Sequence, residues 1–556
     1  IGCSGRDPNR SNRISHCIHW SSFQLSVRMS SSSSLLSAHI ANAKPLRWED
    51  AFAERVSRRI ENQLVGLHRP IFQMPSHERE KAILLAGGLP PAEAFPIEAI
   101  ELTVRGVGDG SSAEKVKVTV DDPKMLYNAQ QYGSCEPLRE WAQKFMMEFH
   151  QPVLPFARPP FVNGTNTTTT TATTNGHHEQ KNGPVLDTIL TAGNSDTLDK
   201  IASIVFNPTD GVFADEHAYS TTMLAFRPYI NEVINVESDD MGIIPEALRE
   251  ACESYIAAGR GKPKALYVVP VGSNPEGKVT SEQRILELYA VARAYDMVVI
   301  EDDPYWFLRY PSYHEGATYT ADKCPGLLSL KAPPPTQTAI VDDPYSQRSF
   351  LSFDIDGRVI RVDTFSKCVA PGLRTGWCTA SKAFTTQYYA YTSCAPTQSA
   401  MAQTVVYSLL RDWGIEGFDR HVRDLQFLYW KRRDQLVSSL VKHCGEHLAM
   451  MDIPVAGMFL WPSFRLPVED SAAIIPDLLK HRILVAPGNF FSFTNKPSPA
   501  VRIAFCCVDE AKLDTAAARL GEVLREKWVA HEEGGGHKQK QQQQQQNGCS
   551  PAGTCC

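Results

Sequence analysis

Short apolar runs alternate with amphipathic segments along the middle of the chain. Residues 265–271 and 297–303 are apolar, rich in β-branched side chains and short enough to be buried strands. Between them, residues 281–295 place apolar side chains at helical spacing. The same strand–helix–strand order recurs at residues 189–216. This alternation predicts an α/β fold, with a mainly parallel sheet sandwiched by helices.

Polar side chains cluster where these predicted strands end. Another strand, within residues 357–367, also runs into a polar loop. In parallel sheets covered by helices, ligands bind beyond the carboxyl ends of the strands. The residues that follow each strand are therefore the first candidates for a functional site.

Length and composition favour two folded domains and no membrane span. The chain has 556 residues, more than one hydrophobic core usually supports, and 43% hydrophobic residues, close to a globular average. No apolar run approaches the roughly 20 residues that cross a bilayer. The net charge of −6 gives no general attraction to nucleic acid. We therefore expect neither a membrane nor a nucleic-acid partner.

The cysteines do not have the spacing of a zinc site. There are 14 cysteines without a CxxC pair, and the neighbours Cys506 and Cys507 are too close in sequence to be good zinc ligands. No apolar signal-peptide core is visible in the sequence. We expect no metal, and reduced thiols in an intracellular protein.

Four segments differ in composition from the rest of the chain. Residues 1–44 are rich in serine and arginine, as transit peptides are, so the expected cytoplasmic location has a mitochondrial alternative. Met29 offers a later start, which would leave the preceding residues out of the cellular protein. Residues 162–184 are a predicted low-complexity insert, 312–350 an irregular insert, and 532–556 a disordered poly-Gln tail.

The clearest candidate chemistry lies in a loop after a predicted strand. The loop contains Thr364, Ser366 and Lys367, and Arg374 follows shortly after. A lysine held out of bulk water can bond covalently to an aldehyde. Hydroxyls and a guanidinium beside it suit a phosphate group. An ordinary surface lysine is the alternative for this segment taken alone.

Two other strand ends carry polar groups of a complementary kind. Asp302 ends one apolar run, and Tyr305 follows it in the next loop. A carboxylate there can pair with a protonated ring nitrogen, and a phenol can reach a ring oxygen. Asn274, in an Asn-Pro turn after the preceding strand, directs an amide at the same space. Plain turns are the alternative, since Asp, Asn and Pro are turn formers.

Three more positions complete the set of candidates. Gly193, Asn194 and Ser195 lie between a strand and a helix, where backbone N–H groups and short side chains can hold a phosphate. Tyr219 follows another strand and can stack on a flat ring. Arg502 lies among strand formers, where a guanidinium favours a carboxylate partner. A core tyrosine and an ordinary ion pair are the alternatives.

Together these groups are the kinds of side chain that bind pyridoxal 5′-phosphate (PLP) and an amino-acid substrate. The motifs TAGNSD, DEHAY, GSNPEG, EDDPYWF, DTFSK, GLRTGW and VRIAF resemble the fold-type I PLP-dependent aminotransferases of class I/II. GGLPPAEAFP at residues 87–96 and QQYGSCEPLREW at 130–141 resemble the branch of fungal aromatic amino acid, 2-aminoadipate and kynurenine aminotransferases. The resemblance covers roughly residues 45–530 outside the inserts.

The resemblance implies the architecture of the chain. It predicts the PLP-dependent transferase fold of type I, which has a large domain with a mainly parallel sheet and a smaller α+β domain. The N-terminal arm with part of the small domain would be residues 45–120, the large PLP-binding domain 121–390, and the C-terminal small domain 391–531. It also implies a homodimer, because this family shares active sites across a subunit interface.

The resemblance implies a role for each candidate residue. The catalytic residues would be Lys367, which binds PLP covalently and moves a proton, Asp302, which keeps the ring nitrogen protonated, and Tyr305. The expected cofactor-binding residues are Gly193, Asn194, Ser195, Tyr219, Asn274, Asp302, Tyr305, Thr364, Ser366, Lys367, Arg374 and, from a second subunit, Tyr132. The expected substrate-binding residues are Arg502, Asn274, Gly88 and Leu89.

The implied activity moves the amino group of an aromatic amino acid (Phe, Tyr or Trp) or 2-aminoadipate to a 2-oxo acid such as 2-oxoglutarate, by a ping-pong mechanism. A kynurenine-type transaminase and a PLP lyase or decarboxylase are the alternatives. The chain departs from the family where Asn194-Ser195 replaces a frequent Ser-Gln, and where Glu276 replaces a frequent Thr. We expect Glu276 to be harmless, because that side chain need not face the ring.

Overall fold

A computed structural model describes residues 46–56, 94–105, 115–130, 133–157, 183–337, 339–341, 343, 345–392 and 398–547. Gly88, Leu89, Tyr132, the segment 1–44 and most of the predicted insert 162–184 lie outside these ranges. Among the helices of the described ranges, none combines the length and the apolar character needed to cross a bilayer.

Strands and helices alternate through most of the described chain. The strands are β1 (Ile100–Val104), β2 (Val116–Val120), β3 (Leu186–Thr191), β4 (Gly211–Asp215), β5 (Val233–Val236), β6 (Ser238–Asp239), β7 (Gly242–Ile243), β8 (Pro263–Val268), β9 (Val298–Asp302), β10 (Val359–Thr364), β11 (Gly376–Ser381), β12 (Leu448–Met450), β13 (Phe459–Leu460), β14 (Ser463–Phe464), β15 (Ala486–Pro487) and β16 (Val501–Ala504). The α-helices are α1 (Trp48–Ala51), α2 (Pro123–Ala129), α3 (Glu136–Phe145), α4 (Asn194–Val205), α5 (Ser220–Phe226), α6 (Pro245–Ala257), α7 (Glu282–Ala294), α8 (Phe350–Phe353), α9 (Lys382–Thr392), α10 (Ala400–Cys444), α11 (Ile475–Lys480) and α12 (Glu510–Asn547).

The central sheet has the strand order β3-β11-β10-β9-β8-β4-β5. Neighbouring strands from β10 to β5 are parallel, and β11 is antiparallel to both of its neighbours. Every residue of β3, β9, β10 and β11 is buried. Strands of this kind need cover on both faces of the sheet. The predicted mainly parallel sheet between helices is confirmed.

Helices cover both faces of this sheet. Because side chains alternate along a strand, neighbouring residues of β9 enter different cores. Val299 packs in one core with Ile285 of α7, and Ile300 packs in the other with Leu198 and Ile201 of α4. Because helices occupy both faces of the sheet, the polar loops can meet only at the edge where the parallel strands end.

The boundaries of two predicted elements have local causes. The helix predicted at residues 281–295 is α7, and it begins where the Ser281 hydroxyl accepts a hydrogen bond from the Arg284 N–H at 3.3 Å. The strand predicted at 265–271 is β8, which ends at Val268. Pro270 lacks the N–H that a longer strand would need for its ladder.

A second core lies between α10, α12 and the small sheet β13-β16-β15. Helix α10 leaves helical geometry at Gly414, whose φ is 61°, and the part after this break contributes Val437 and Leu440 to the core. Helix α12 contributes Leu520 and Leu524. It extends to Asn547, past residue 532 where the sequence predicts a disordered tail; glutamine is a favourable helix residue.

The predicted irregular insert at residues 312–350 has only short helical turns, at Ala321–Lys323, Leu328–Leu330 and the start of α8. It packs closely against α10: the Gly326 N–H donates to the Gln426 side chain at 2.8 Å. Leu327 and Leu330 are buried. The insert is therefore part of the packed structure although it lacks long regular elements.

Candidate active site

The candidate residues converge at one edge of the central sheet. Strands β3, β4, β8, β9 and β10 end at this edge, and the antiparallel β11 begins there. The loops that follow these ends carry the predicted residues Gly193, Asn194, Ser195, Tyr219, Asn274, Tyr305, Ser366, Lys367 and Arg374. Parallel strands explain the convergence, because their carboxyl ends lie on the same side.

A cup of hydrogen-bond donors lies between β3, β10 and β11. Arg374 donates from Nη2 to the Ala192 carbonyl at 2.6 Å, and its Nη1 lies 3.5 Å from Ser366 Oγ. Thr364 Oγ1 donates to Ser366 Oγ at 2.9 Å. The cup adjoins the N terminus of α4, which follows Gly193. A guanidinium, two hydroxyls and a helix N terminus together suit a phosphate.

Gly193 keeps this cup open. Its φ of 97° is a conformation that side chains disfavour, and a Cβ there would lie 2.9 Å from Arg374 Nη2 and 3.5 Å from Thr364 Oγ1. A larger residue would therefore fill the space in front of the donors. Ser195, half-buried in the first turn of α4, stands at the rim of the same space.

The Asn194 side chain does not face the cup where the sequence analysis placed it. Its Nδ2 donates to Asp302 Oδ1 at 2.5 Å and to the Val362 carbonyl at 3.2 Å. The amide is therefore used to hold the carboxylate at the end of β9. Only the backbone of Asn194, at the start of α4, is left to act on a phosphate.

Asp302 is a buried carboxylate without an ionic partner in the described part of the chain. It is 4% exposed and accepts hydrogen bonds from Asn194 and from Tyr267 Oη, the latter at 2.8 Å. Burial raises the pKa of Asp302 to about 6, even though both hydrogen bonds act to lower it. A cationic ring nitrogen would supply the charge that this carboxylate lacks.

Tyr267 is a site residue that the sequence analysis missed. It lies on β8, is 2% exposed, and its Oη is also 3.1 Å from Thr222 Oγ1. Burial places the pKa of Tyr267 well above its usual value, so the phenol remains a donor to Asp302. The only signal in the sequence was a tyrosine inside a buried apolar run, where its hydroxyl must find a partner.

Arg502, Asn274 and Tyr305 form a second polar group. Arg502 Nη1 donates to Asn274 Oδ1 at 2.9 Å, and Asn274 Nδ2 donates to Tyr305 Oη at 3.4 Å. The Arg502 guanidinium lies 4.3 Å from the ring centre of Phe459 and 4.7 Å from that of Phe491. These two aromatic partners were also missed, because neither lies near Arg502 in a recognisable motif.

The Arg502 guanidinium can donate a further hydrogen bond. Its Nε is buried and makes no hydrogen bond to the described residues. Burial lowers the pKa of Arg502, since the guanidinium is held between two rings and away from water. A bound carboxylate would satisfy this group, in a bidentate manner if it reaches both nitrogens.

Lys367 and Tyr219 are the remaining predicted residues of the described loops. Lys367 is half-buried and follows Ser366 of the cup in the chain. Tyr219 is half-buried and follows the end of β4. The strand ends therefore bring the predicted residues of the described ranges to one edge of the sheet.

Within the described ranges, no three His, Cys, Asp or Glu side chains are grouped so that they could hold a metal ion. The donors at the sheet edge are instead suited to a phosphate, a ring cation, an aldehyde and a carboxylate.

Comparison with known proteins identifies the family. The chain matches the family described as aminotransferase class I and II over residues 174–520. The chain belongs to the class I and II aminotransferases. This aminotransferase is 30% identical over 469 residues to the mitochondrial kynurenine/alpha-aminoadipate aminotransferase of Bos taurus, covering 82% of this chain and 95% of that protein. It is 28% identical to an aromatic amino acid aminotransferase of Schizosaccharomyces pombe, covering 86% and 97%.

A solved structure shows the same fold. The aminotransferase Aro8 from Candida albicans superposes with a TM-score of 0.68 at 22% identity, and the match covers 88% of this chain and all of that one, 100%. The family and the fold-type I architecture expected from the sequence are confirmed. PLP is the cofactor of this family and of this aminotransferase.

The residues present fit that cofactor. The donor cup that Gly193 keeps open matches a phosphate, and the uncompensated carboxylate of Asp302 matches a protonated pyridine nitrogen. Lys367, next to Ser366 in the chain, has an amine that can react with an aldehyde. The chemistry of the donor set therefore agrees with the family.

Proposed function

We propose that this aminotransferase moves the amino group of an aromatic amino acid or of 2-aminoadipate to a 2-oxo acid such as 2-oxoglutarate, in a ping-pong reaction. The observation that carries the proposal is Arg502 held between Phe459 and Phe491. An arginine with unused hydrogen-bonding capacity suits the substrate α-carboxylate, and the rings beside it offer an apolar wall. Trp461 extends this wall, with its ring centre 5.5 Å from that of Phe491.

The proposed cofactor contacts follow the two polar groups of the site. Lys367 binds PLP covalently, Asp302 pairs with the ring nitrogen, and Tyr305 with Asn274 holds the ring oxygen. Tyr219 stacks on the ring. The phosphate is held by Gly193, the Asn194 backbone, Ser195, Thr364, Ser366 and Arg374, with Tyr132 from a second subunit. Support comes from the donor cup and from the hydrogen bonds around Asp302.

Bound PLP supplies a conjugated, protonated ring that can accept the electron pair of the substrate Cα–H bond. The protein residues then have separate tasks. Lys367 would take the proton from Cα and deliver it to the cofactor carbon that had carried the aldehyde oxygen, and Arg502 would orient the carboxylate so that the Cα–H bond faces Lys367. Tyr267 and Asn194 keep the Asp302 carboxylate in place through their hydrogen bonds. We assign Gly88 and Leu89 to the substrate side-chain pocket.

A kynurenine-type transaminase is the second candidate. It is favoured by the Bos taurus relative, whose name includes kynurenine together with alpha-aminoadipate. Kynurenine also carries an aromatic ring and an α-carboxylate, so the same clamp and apolar wall would serve it.

Half-reaction spectra of the PLP enzyme test the proposal. The purified protein is mixed with Phe, Tyr, Trp, kynurenine, 2-aminoadipate or Glu, and conversion of the cofactor absorbance is followed without an oxo acid. We expect fast conversion with an aromatic amino acid or 2-aminoadipate, and recovery of the original spectrum on adding 2-oxoglutarate. Preference for kynurenine would favour the second candidate. Turnover that needs no oxo acid would indicate a lyase or decarboxylase and overturn both.

We also propose a homodimer and a cytoplasmic location. The dimer follows from assigning Tyr132 to the phosphate of a second subunit, and light scattering at micromolar concentration tests it; a monomer that retains full PLP affinity would overturn that assignment. Mitochondria are the alternative location, which residues 1–44 would direct. Imaging of the tagged full chain decides between the two.

A further inference from the structure

Glu276 has more contacts than the sequence analysis expected. It lies two residues after Asn274, and only 10% of its side chain is exposed. Its Oε1 is 3.2 Å from His217 Nδ1, and its Oε2 is 2.8 Å from Lys278 Nζ. Burying a carboxylate is costly unless it is paired, so these two contacts must hold it in place.

The contacts of Glu276 continue to the end of β4. Lys278 Nζ donates to Ser238 Oγ at 3.1 Å, and Ser238 Oγ donates to Asp215 Oδ1 at 2.7 Å. Asp215, the last residue of β4, lies two residues before His217, so the contacts of Glu276 lead back to the segment that carries His217. Two carboxylates, one lysine and one histidine therefore join the loop after β4 to the turn after β8.

Both joined segments carry proposed cofactor contacts. The loop after β4 carries Tyr219, two residues beyond His217, and the turn after β8 carries Asn274. The His217 ring also packs on Trp461, with 5.3 Å between ring centres. The next residue along, Ala218, donates its N–H to the Phe491 carbonyl at 2.9 Å, beside the ring that covers Arg502.

We propose that Glu276 and His217 are positioning residues for the cofactor: their contact fixes the Tyr219 loop and the Asn274 turn in the arrangement that binds PLP. This inference rests on the proposed cofactor site. Neither side chain needs to touch the cofactor, since each acts through the segment that carries it. A Thr at position 276, which is frequent in the family, could not make this ion pair.

The strength of the contact depends on the charge of His217. Burial acts to lower the pKa of His217, but the hydrogen bond and charge of Glu276 outweigh it and the pKa is raised. The other charged groups that face His217 are Glu216 and Asp215 on its own loop. The charge of Lys278 is paired with Glu276, and Lys496 Nζ lies 3.9 Å from Glu216 Oε1.

The test measures PLP binding rather than turnover. Cofactor-free full-length protein is titrated with PLP, and binding is followed by quenching of tryptophan fluorescence. At about pH 6, where His217 is protonated, we expect Glu276→Gln to weaken PLP binding about tenfold. The difference should shrink as pH rises through the raised pKa of His217, because the wild-type histidine then loses its charge.

A second variant and a double variant keep the test independent of folding defects. His217→Gln should weaken PLP binding at about pH 6 to a similar extent, and the double variant should be no weaker than either single variant. Full additivity of the two effects would overturn the proposal, because residues that act through one contact are not additive.

A matched control removes another buried carboxylate. Asp356 pairs with Arg358 at 2.9 Å and with Arg293 at 3.0 Å, and it lies before the start of β10, at the opposite edge of the sheet. Asp356→Asn should leave PLP affinity within about twofold of wild type. An effect as large as that of Glu276→Gln, or an unchanged affinity in Glu276→Gln at every pH, would overturn the proposal.

Borohydride reduction of the wild-type PLP enzyme, followed by peptide mapping, separates this inference from the proposed site. Labelling of Lys367 together with unaltered binding in Glu276→Gln rejects the positioning role alone. Labelling of a different lysine rejects the cofactor site itself.

Discussion

Three consecutive buried acids at the end of β9 face two different surroundings. Glu301, Asp302 and Asp303 are 0%, 4% and 2% exposed. Because successive side chains of a strand point to opposite faces, Asp302 faces the candidate cofactor space while its two neighbours face the other layer. The comparison is therefore between residues of equal burial and nearly equal position.

The neighbours of Asp302 have a cationic partner. Arg361 lies 3.0 Å from Glu301, 3.0 Å from Asp303 and 2.8 Å from Asp363. Burial acts to lower the pKa of this guanidinium, but the three carboxylates outweigh it and the pKa is raised. The N–H of Phe350 also donates to Glu301 at 3.0 Å. Glu301 and Asp303 therefore have a cation supplied by the protein itself, although burial still raises the pKa of both carboxyls.

Asp302 has only neutral partners by contrast, an amide and a phenol. This difference indicates which of the buried acids is available to a ligand. Carboxylates that share a cation within the protein need no ligand for charge pairing, whereas a carboxylate that lacks a cation is arranged for one that arrives with a ligand. Variants of these residues can test whether Asp302 differs from its paired neighbours in this way.

The largest effect is expected on turnover. Asp302→Asn keeps the side-chain shape but removes the charge opposite the ring nitrogen, so we expect turnover to fall about 10³-fold while some PLP is still bound. Single-turnover kinetics with the best amino acid of the substrate panel measure this fall. A rate near that of wild type would show that Asp302 does not have the assigned role.

Arg361→Met should instead act on stability. It leaves Glu301, Asp303 and Asp363 without their shared cation, so we expect a loss of about 3–5 kcal/mol in the free energy of unfolding. Denaturant unfolding measures this loss. Arg411→Met, which removes an ion pair with Asp412 on a half-exposed surface, is the control and should cost below about 1 kcal/mol. Equal losses in both variants would show that the buried cluster does not stabilise the fold.

The pH dependence of stability separates Asp302 from a paired acid. Its pKa is raised from 3.8 to about 6, so the cofactor-free fold loses stability from this group as pH rises through that interval. Asp302→Asn lacks this loss. Its stability relative to wild type should therefore grow by about 3 kcal/mol at most between pH 4 and 7.

A paired acid should show the opposite sign. Burial acts to raise the pKa of Asp356, but the hydrogen bonds and charge of Arg358 outweigh it and the pKa is lowered. Asp356→Asn should therefore lose stability relative to wild type as pH rises from the lowered pKa to the usual carboxyl value, and the difference should stay constant above it. Thermal unfolding of the cofactor-free proteins across pH measures both trends. Identical trends in the two variants would contradict the comparison.

The smallest effect is expected for Tyr267→Phe. It removes one of two hydrogen bonds to Asp302, at a cost of about 1 kcal/mol, and should move the Asp302 titration to higher pH because a donor to the carboxylate is lost. Tyr255→Phe is the control, since that phenol donates to the Thr209 carbonyl at 2.8 Å, away from the site. A titration midpoint that moves equally in both variants would show that Tyr267 does not act on Asp302.

The sequence by itself determined several strands of the central sheet, the helices between them and the type of chemistry. A continuous apolar run and helical spacing are local properties, so β8, α7 and β9 were predicted from their own residues. Lys367, Asp302, Tyr305 and Arg374 follow strand ends, and parallel strands bring such residues together. The family motifs then indicated PLP.

Only the tertiary structure decided which polar groups became partners. The sheet order places β9 between β8 and β10, so Tyr267 reaches Asp302 from 35 positions away and Arg361 reaches Asp303 from 58. Other long-range contacts of this kind pair Asn194 with Asp302 and Glu276 with His217. Local polarity shows that a buried side chain needs a partner, but its identity depends on which strands become neighbours when the chain folds.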